Sequence, residues 1–191
     1  MYGDSPILPK VETEIGKPLS PYAVSKYTNE LYAGVSHLNY QQEIIGLRYF
    51  NIFGPNQSPN GAYAAVIPLF IEALMNNESP FINGDGKQSR DFTYVENAVQ
   101  ANIRALFTEK ESALGKVFNI AVGESYSLLD LFGMIKDGTN ASVKAIHRED
   151  RAGDVKNSLA DISRAQELLD YKPQVKFKEG IEKTIAWFKQ K

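Results

Sequence analysis

Ser20-Pro21-Tyr22-Ala23-Val24-Ser25-Lys26, and beyond it Ile44-Ile45-Gly46-Leu47, decide the fold class of this 191-residue chain. Ser20 can cap a helix, and Pro21 suits its first turn, where a missing N–H costs nothing. Val24, Leu31, Val35 and Leu38 continue at helical spacing, so the sequence predicts a helix through about Leu38. Glu43 to Phe50 holds an apolar run too short for a helix and typical of a buried parallel strand. Helix followed by buried strand is the grammar of an α/β fold.

Outward from this pair the pattern continues. Met1 to Leu19 reads as an extended surface loop rich in Pro, Gly and acidic residues, and a chain opening in a loop leads to the expectation that something upstream is missing. Asn51 to Gly61 reads as turns. Ala64 to Met75 is helical in spacing, with Pro68 either bending the helix or lying in its first turn. Phe81-Ile82 leads into the turn Asn83-Gly84-Asp85-Gly86, Arg90 to Tyr94 alternates like a short strand, and Val95 to Phe107 is a helix. Lys116 to Val122 and Ser142 to His147 are expected strands. Ser127 and Asp130 have capping-box form for a helix stopping near Gly138. Asp161 is expected to cap a helix to Leu169, and Phe177 to Lys189 is a final amphipathic helix.

Composition excludes several functions. With 21 basic and 23 acidic residues, the net charge of −2 provides no field to recruit nucleic acid or an anionic membrane surface. The absence of cysteine removes thiolate metal sites and thiol nucleophiles and fits a reducing cytoplasm. His37 and His147 lie far apart in sequence, so neither a histidine-based metal site nor a Ser-His-Asp triad is expected. No apolar run approaches the ~20 residues of a membrane span.

Tyr22 and Lys26 stand four apart and share one helix face, an arrangement in which an ammonium can favour a phenolate. A Tyr-x-x-x-Lys match alone is weak, but its context is wide. Pro18 to Lys26, Leu47-Arg48-Tyr49-Phe50-Asn51, Phe53-Gly54-Pro55, Asn83 to Gly86, Ser89-Arg90-Asp91-Phe92, Phe118-Asn119-Ile120 and Arg151-Ala152-Gly153-Asp154 span nearly the whole chain. Together they resemble the extended short-chain dehydrogenase/reductase superfamily. Asn56-Gln57-Ser58-Pro59-Asn60-Gly61-Ala62-Tyr63-Ala64-Ala65-Val66-Ile67-Pro68 is most similar to its UDP-N-acetylhexosamine 4-epimerases.

The resemblance implies the C-terminal part of a Rossmann-like NAD(P)-binding fold with a small α/β substrate-binding subdomain. Residues 1–61 would be the remnant of the dinucleotide-binding domain, and 62–191 mainly the substrate subdomain with segments returning to the sheet. It implies NAD as cofactor, with catalytic Tyr22 taking the sugar 4-hydroxyl proton while the C4 hydride passes to NAD, Lys26 tuning Tyr22 and holding the nicotinamide ribose, and Tyr49 beside the nicotinamide. The 4-keto sugar would turn over and regain hydride on its other face. For a UDP-sugar it implies a substrate set of Asn51, Arg90 and Arg151 at the diphosphate, Ala65, Val66, Phe81 and Asn83 around the uridine, and Asp154 on a ribose hydroxyl. Ser158 would leave room for a 2-acetamido group, with Gln57 near it.

The family is homodimeric and uses the Tyr-bearing helix in its interface; the oligomeric state of this chain stays open. The Gly-rich dinucleotide turn is not found here, and the family's catalytic Ser or Thr would precede Tyr2. The expectation is therefore a truncated portion, inactive alone. Alternatives are a non-catalytic fragment keeping a UDP-sugar pocket, or a 4,6-dehydratase or decarboxylase of the same superfamily. Asn97 stands where the family commonly has aspartate.

Overall fold

The computed structural model describes residues 2–3, 5–60, 65–150 and 156–191. Helix α1 spans Pro21–Tyr40 and is followed by strands β1 (Gly46–Tyr49) and β2 (Ile52–Phe53). Next come α2 (Val66–Met75), β3 (Phe81–Asn83), β4 (Ser89–Arg90), β5 (Thr93–Tyr94) and α3 (Val95–Leu106). After a 3₁₀ turn the chain forms β6 (Val117–Ile120), β7 (Tyr126–Ser127), α4 (Leu128–Thr139), β8 (Ile146–Arg148), α5 (Ser163–Leu169) and α6 (Phe177–Phe188). The fold is α/β, with parallel pairs β1–β6, β2–β5 and β3–β8 and one antiparallel pair, β4–β7. Among the described residues no helix is long and apolar enough to cross a membrane.

Two cores hold the elements together. The larger joins α2, α4 and α6 to β2, β3 and β5 through Phe53, Ile67, Phe70, Ile71, Ile82, Leu131 and Ile181. Its centre is aromatic: Phe92 stacks on Phe177 at 5.1 Å, and Phe53 meets Phe177 edge-on at 5.7 Å, the offset and T-shaped geometries the ring quadrupoles favour. α6 approaches this close because residue 180 is glycine; a Cβ there would come within 2.9 Å of the Phe53 ring. The smaller core packs Phe50, Phe118, Ile120, Ala165, Leu169 and Tyr171 around β1 and β6. Phe132, Phe177 and Phe188 are core or packed against it, as the sequence indicates.

Several boundaries differ from the sequence reading, each for a local reason. Ser20 caps α1 as expected, its Oγ accepting from the Ala23 N–H at 3.1 Å, and the Ser127–Asp130 capping box forms. Pro68 lies in the first turn of α2, where it breaks no helical bond. The expected strand Arg90 to Tyr94 is instead two strands in different sheets, because Asp91 turns inward between them and its carboxylate accepts the backbone N–H groups of Val122, Gly123 and Ala160. β2 lies inside the segment read as turns, since Ile52 and Phe53 find a partner only in β5, far along the chain. α5 starts at Ser163 rather than Asp161; the Asp161 carboxylate accepts from the Ser163 N–H before the helix begins. β8 is Ile146–Arg148, later than the expected Ser142 to His147. The apolar stripe of α1 is not a core face: Val24, Leu31, Val35 and Leu38 are all exposed, and no residue of α1 is buried.

Candidate active site

Between α1 and the β1–β6 pair lies a cleft of about 670 Å³, lined from Tyr22 to Gly34 on the helix and from Ile44 to Asn51 around β1. Tyr22 and Lys26 line it from the helix, Arg48, Tyr49 and Asn51 from β1 and the residues after it, and Ser158 from the segment before α5. The Lys26 ammonium sits 5.3 Å from the centroid of the Tyr22 ring, which is 70% exposed, so both groups can be reached by a bound molecule. The i,i+4 spacing read from the sequence thus becomes a phenol and a cation side by side above a cleft. That pairing can exchange a proton with a hydroxyl and hold an adjacent diol, the donor set that suits the nicotinamide-ribose end of a dinucleotide.

The strand end is fixed by local geometry. Asn51 adopts a left-handed φ of 37°, which Asn tolerates better than most residues, and its Nδ2 donates to the Asp91 carbonyl at 3.1 Å. Asn51 also accepts the Thr93 N–H, so the turn that aims it is held at both ends. The Tyr49 hydroxyl donates to Asn102 Oδ1 of α3 at 3.0 Å, which directs the phenol tip toward α3 although the residue borders the cleft. Ser158 is half-buried and donates its N–H to the Ser89 carbonyl at 3.0 Å.

Among the described residues, the other expected substrate residues do not line this cleft. Arg90 is one residue past Ser89 and donates to the carbonyls of Ser89 and Lys156 at 2.9 and 3.3 Å. Gln57 donates Nε2 to the Ile52 carbonyl at 3.1 Å, which leaves its Oε1 buried without a partner. Ala65 is the N-cap of α2 and Val66 its first residue. Phe81 and Asn83 lie on β3, with Phe81 under the Arg148 guanidinium at 3.1 Å. Arg151 and Asp154 lie outside the described residues. Asp85 serves its own turn, accepting the Lys87 N–H.

Sequence reasoning missed a polar group beneath the cleft. Arg48 on β1 is buried, and its Nε and Nη2 make a two-pronged pair with the Glu30 carboxylate of α1 at 2.8 and 2.7 Å. Its Nη1 donates to the Tyr2 hydroxyl at 2.8 Å and to the Glu12 carbonyl at 3.1 Å. Burial works against the cation, but the bonds to Glu30 and Tyr2 outweigh it and hold the guanidinium above its ordinary pKa. Tyr2 in turn donates to Asn119, whose Nδ2 reaches the Lys10 and Asp161 carbonyls. One signal was available: an arginine inside an apolar strand requires a buried partner. Asp91 was equally legible as a charge between Arg90 and Phe92; burial raises its carboxyl to about 6 despite the three backbone donors.

The model of the GDP-mannose 4,6-dehydratase family matches residues 1–184. A solved UDP-N-acetylglucosamine 4-epimerase of Methanobrevibacter ruminantium, in complex with UDP-N-acetylmuramic acid, is 43% identical and superimposes with a TM-score of 0.92, covering 99% of this chain and 60% of that one. The UDP-glucuronic acid 4-epimerase of Bacillus cereus, solved with UDP-glucuronic acid and NAD, is 34% identical with a TM-score of 0.89, covering 99% of this chain and 58% of that one. A UDP-glucose 4-epimerase of Mycolicibacterium smegmatis is 34% identical over the whole of this chain and 60% of its own length. The chain thus spans about 60% of the relatives it matches. With the family's model matched along nearly its whole length and a phenol–ammonium pair on its first helix, the chain belongs to the GDP-mannose 4,6-dehydratase family of the extended short-chain dehydrogenase/reductases.

Proposed function

We propose that this chain is the catalytic-helix and sugar-nucleotide part of an NAD-dependent UDP-hexose 4-epimerase acting on UDP-N-acetylglucosamine and UDP-N-acetylgalactosamine. The observation that carries the reading is Tyr22 and Lys26 on one helix face above a cleft that Asn51 and Ser158 also line. The Methanobrevibacter relative, a UDP-N-acetylglucosamine 4-epimerase, supports the same substrate, and the Mycolicibacterium relative, a UDP-glucose 4-epimerase, supports C4 epimerisation.

Tyr22 takes the proton of the sugar 4-hydroxyl, and the Lys26 cation beside it stabilises the phenolate and holds the nicotinamide ribose. When bound, NAD would supply reversible hydride exchange at the sugar C4, with Lys26 holding its nicotinamide ribose and Tyr49 beside the nicotinamide. Asn51 and Arg90, with Arg151 from outside the described residues, grip the diphosphate through paired, charge-assisted bonds. Asp154 accepts from the uridine ribose, while Ala65, Val66, Phe81 and Asn83 surround the base. The dinucleotide's pyrophosphate and adenosine fall to the part of the family fold that this chain does not span.

The test joins this chain to the dinucleotide-binding part of a family enzyme and follows UDP-N-acetylglucosamine to UDP-N-acetylgalactosamine. Tyr22→Phe should lower kcat by about 10² to 10⁴ while UDP-sugar affinity stays within a few fold, because it removes the proton acceptor without emptying the pocket. Equal losses in binding and turnover would remove Tyr22 from the chemistry. The chain alone should bind NAD poorly, and micromolar affinity in a calorimetric titration would refute this division of labour. The family description also admits a 4,6-dehydratase, and formation of a 4-keto-6-deoxy sugar in place of the epimer would establish it.

The acetyl preference rests on Ser158, whose small side chain leaves space at the cleft. Ser158→Tyr should depress kcat/KM for UDP-N-acetylglucosamine far more than for UDP-glucose, since the added ring overlaps only the larger sugar. Equal effects on both substrates would remove the main support for that preference.

A further inference from the structure

α1 presents a problem of placement. None of its residues is buried, and Ala23, Tyr27, Glu30, Ala33 and His37 are half-buried along one face. Among them Glu30 makes a paired ionic contact with the buried Arg48 of β1. Glu30 follows Lys26 by four residues and Tyr22 by eight, so all three lie along one face of the helix. Glu30 is also where the Arg48 fork grips α1, at 2.8 and 2.7 Å. A two-pronged contact between planar groups fixes rotation as well as distance, which a single ammonium cannot do. The other arm of Arg48 is tied to Tyr2 and the Glu12 carbonyl, and Arg48 pairs in register with Asn119 of β6. The fork therefore stands on the paired-strand side of the cleft, three residues before Asn51.

We propose that Arg48 and Glu30 are positioning residues for the proposed reaction: their paired contact sets the roll of α1 and so holds Tyr22 and Lys26 in register with Asn51 and Ser158 across the cleft. The inference rests on the epimerase reading of Tyr22 and Lys26. Its energetic logic is that the reacting groups sit one and two turns from the anchor, where a small roll moves the phenol by an ångström or more, a displacement that can cost about a hundredfold in rate.

Glu30→Gln keeps the side chain's shape and removes its charge, and Arg48→Lys keeps the charge and removes the fork. In the complete enzyme each should lower kcat by roughly a hundredfold while the UDP-sugar KM stays within about threefold. In this chain, hydrogen exchange of the α1 amides should quicken by at least about tenfold, with β6 unchanged. Because Arg48→Lys risks disturbing the buried pair's surroundings, Glu30→Gln with native circular dichroism is the deciding variant. Unchanged kcat, or a UDP-sugar KM raised by more than about tenfold, overturns the proposal, as does unaltered α1 exchange. Absence of 4-epimerase turnover in the unmutated complete enzyme overturns the functional reading instead, and α1 exchange then decides the placement role by itself.

Discussion

α1 and α2 are helices of opposite kind. α2 has 10 residues, five of them buried, and is held by what it packs against. α1 has 20 residues, none buried, an exposed apolar stripe and a half-buried ionic tether from Glu30 to Arg48. Most helical stability in proteins comes from packing an apolar face, so α2 is explained by this chain alone and α1 is not. The family's relatives extend well beyond the matched region, and the uncovered stripe and the Tyr22–Lys26 pair lie on the same helix. The region that packs on its own terms and the region that bears this pair are thus separate.

The contrast is most sharply broken at the aromatic core. Phe177→Ala should cost about 3 to 5 kcal/mol, because Phe53, Phe92 and Tyr126 all lean on that ring and cannot collapse into the space. Urea unfolding followed by circular dichroism reads it directly. A cost near 1 kcal/mol would mean the larger core is loosely packed and that α2 is no better anchored than α1.

Asp91, beside Phe92 of the larger core, ties the chain to Val122, Gly123 and Ala160 near the smaller core, and it makes stability depend on pH. Burial raises its folded pKa to about 6, above the unfolded value. The native state therefore holds more protons than the unfolded state between about pH 4 and 6, and stability falls as pH rises through that window, by about 3 kcal/mol in total. Asp91→Asn should lack this slope. Parallel pH profiles for the two proteins would place the Asp91 carboxyl in contact with water.

Asn97 tests the same boundary at smaller scale. Its Nδ2 donates to the Val175 carbonyl at 2.7 Å while its Oδ1 accepts the Gln174 and Val175 N–H groups, tying α3 to the segment just before α6. A carboxylate in that place can accept but not donate. Asn97→Asp should cost about 1 to 3 kcal/mol at neutral pH. A neutral or stabilising result would show that the amide's donor is dispensable, and that the family's common aspartate fits here unchanged.

How much of this was legible in the sequence follows from the range of each interaction. Caps, turn residues and helical periods act within a few positions, so α1, α4 and α6 could be read within a residue or two. β2 and the break at Asp91 depend on partners 31 to 69 residues away, and no local pattern encodes them. At the site, Tyr22 and Lys26 were legible because helix geometry alone joins them. Their union with Asn51 and Ser158 is tertiary, and the Glu30–Arg48 fork was missed because an i,i+18 pair has no periodic signature.

The smallest expected effect is on α1 itself. Leu38 is 78% exposed at the end of the helix, and Val35 half-exposed one turn earlier, so neither buries enough apolar surface to matter in the isolated chain. Leu38→Gln and Val35→Gln should each change the unfolding free energy by less than about 0.5 kcal/mol, the range of ordinary surface substitutions. Glutamine keeps good helix propensity for Leu38, and for Val35 it replaces a β-branched residue with a better helix former, so the local term is neutral or slightly favourable. The measurement is best made at several protein concentrations. A loss of 2 kcal/mol that grows with concentration would mean that the stripe is covered in solution by a second copy of the chain. A concentration-independent loss of that size would mean instead that α1 packs against its own chain more closely than its exposure indicates, and the contrast with α2 would disappear.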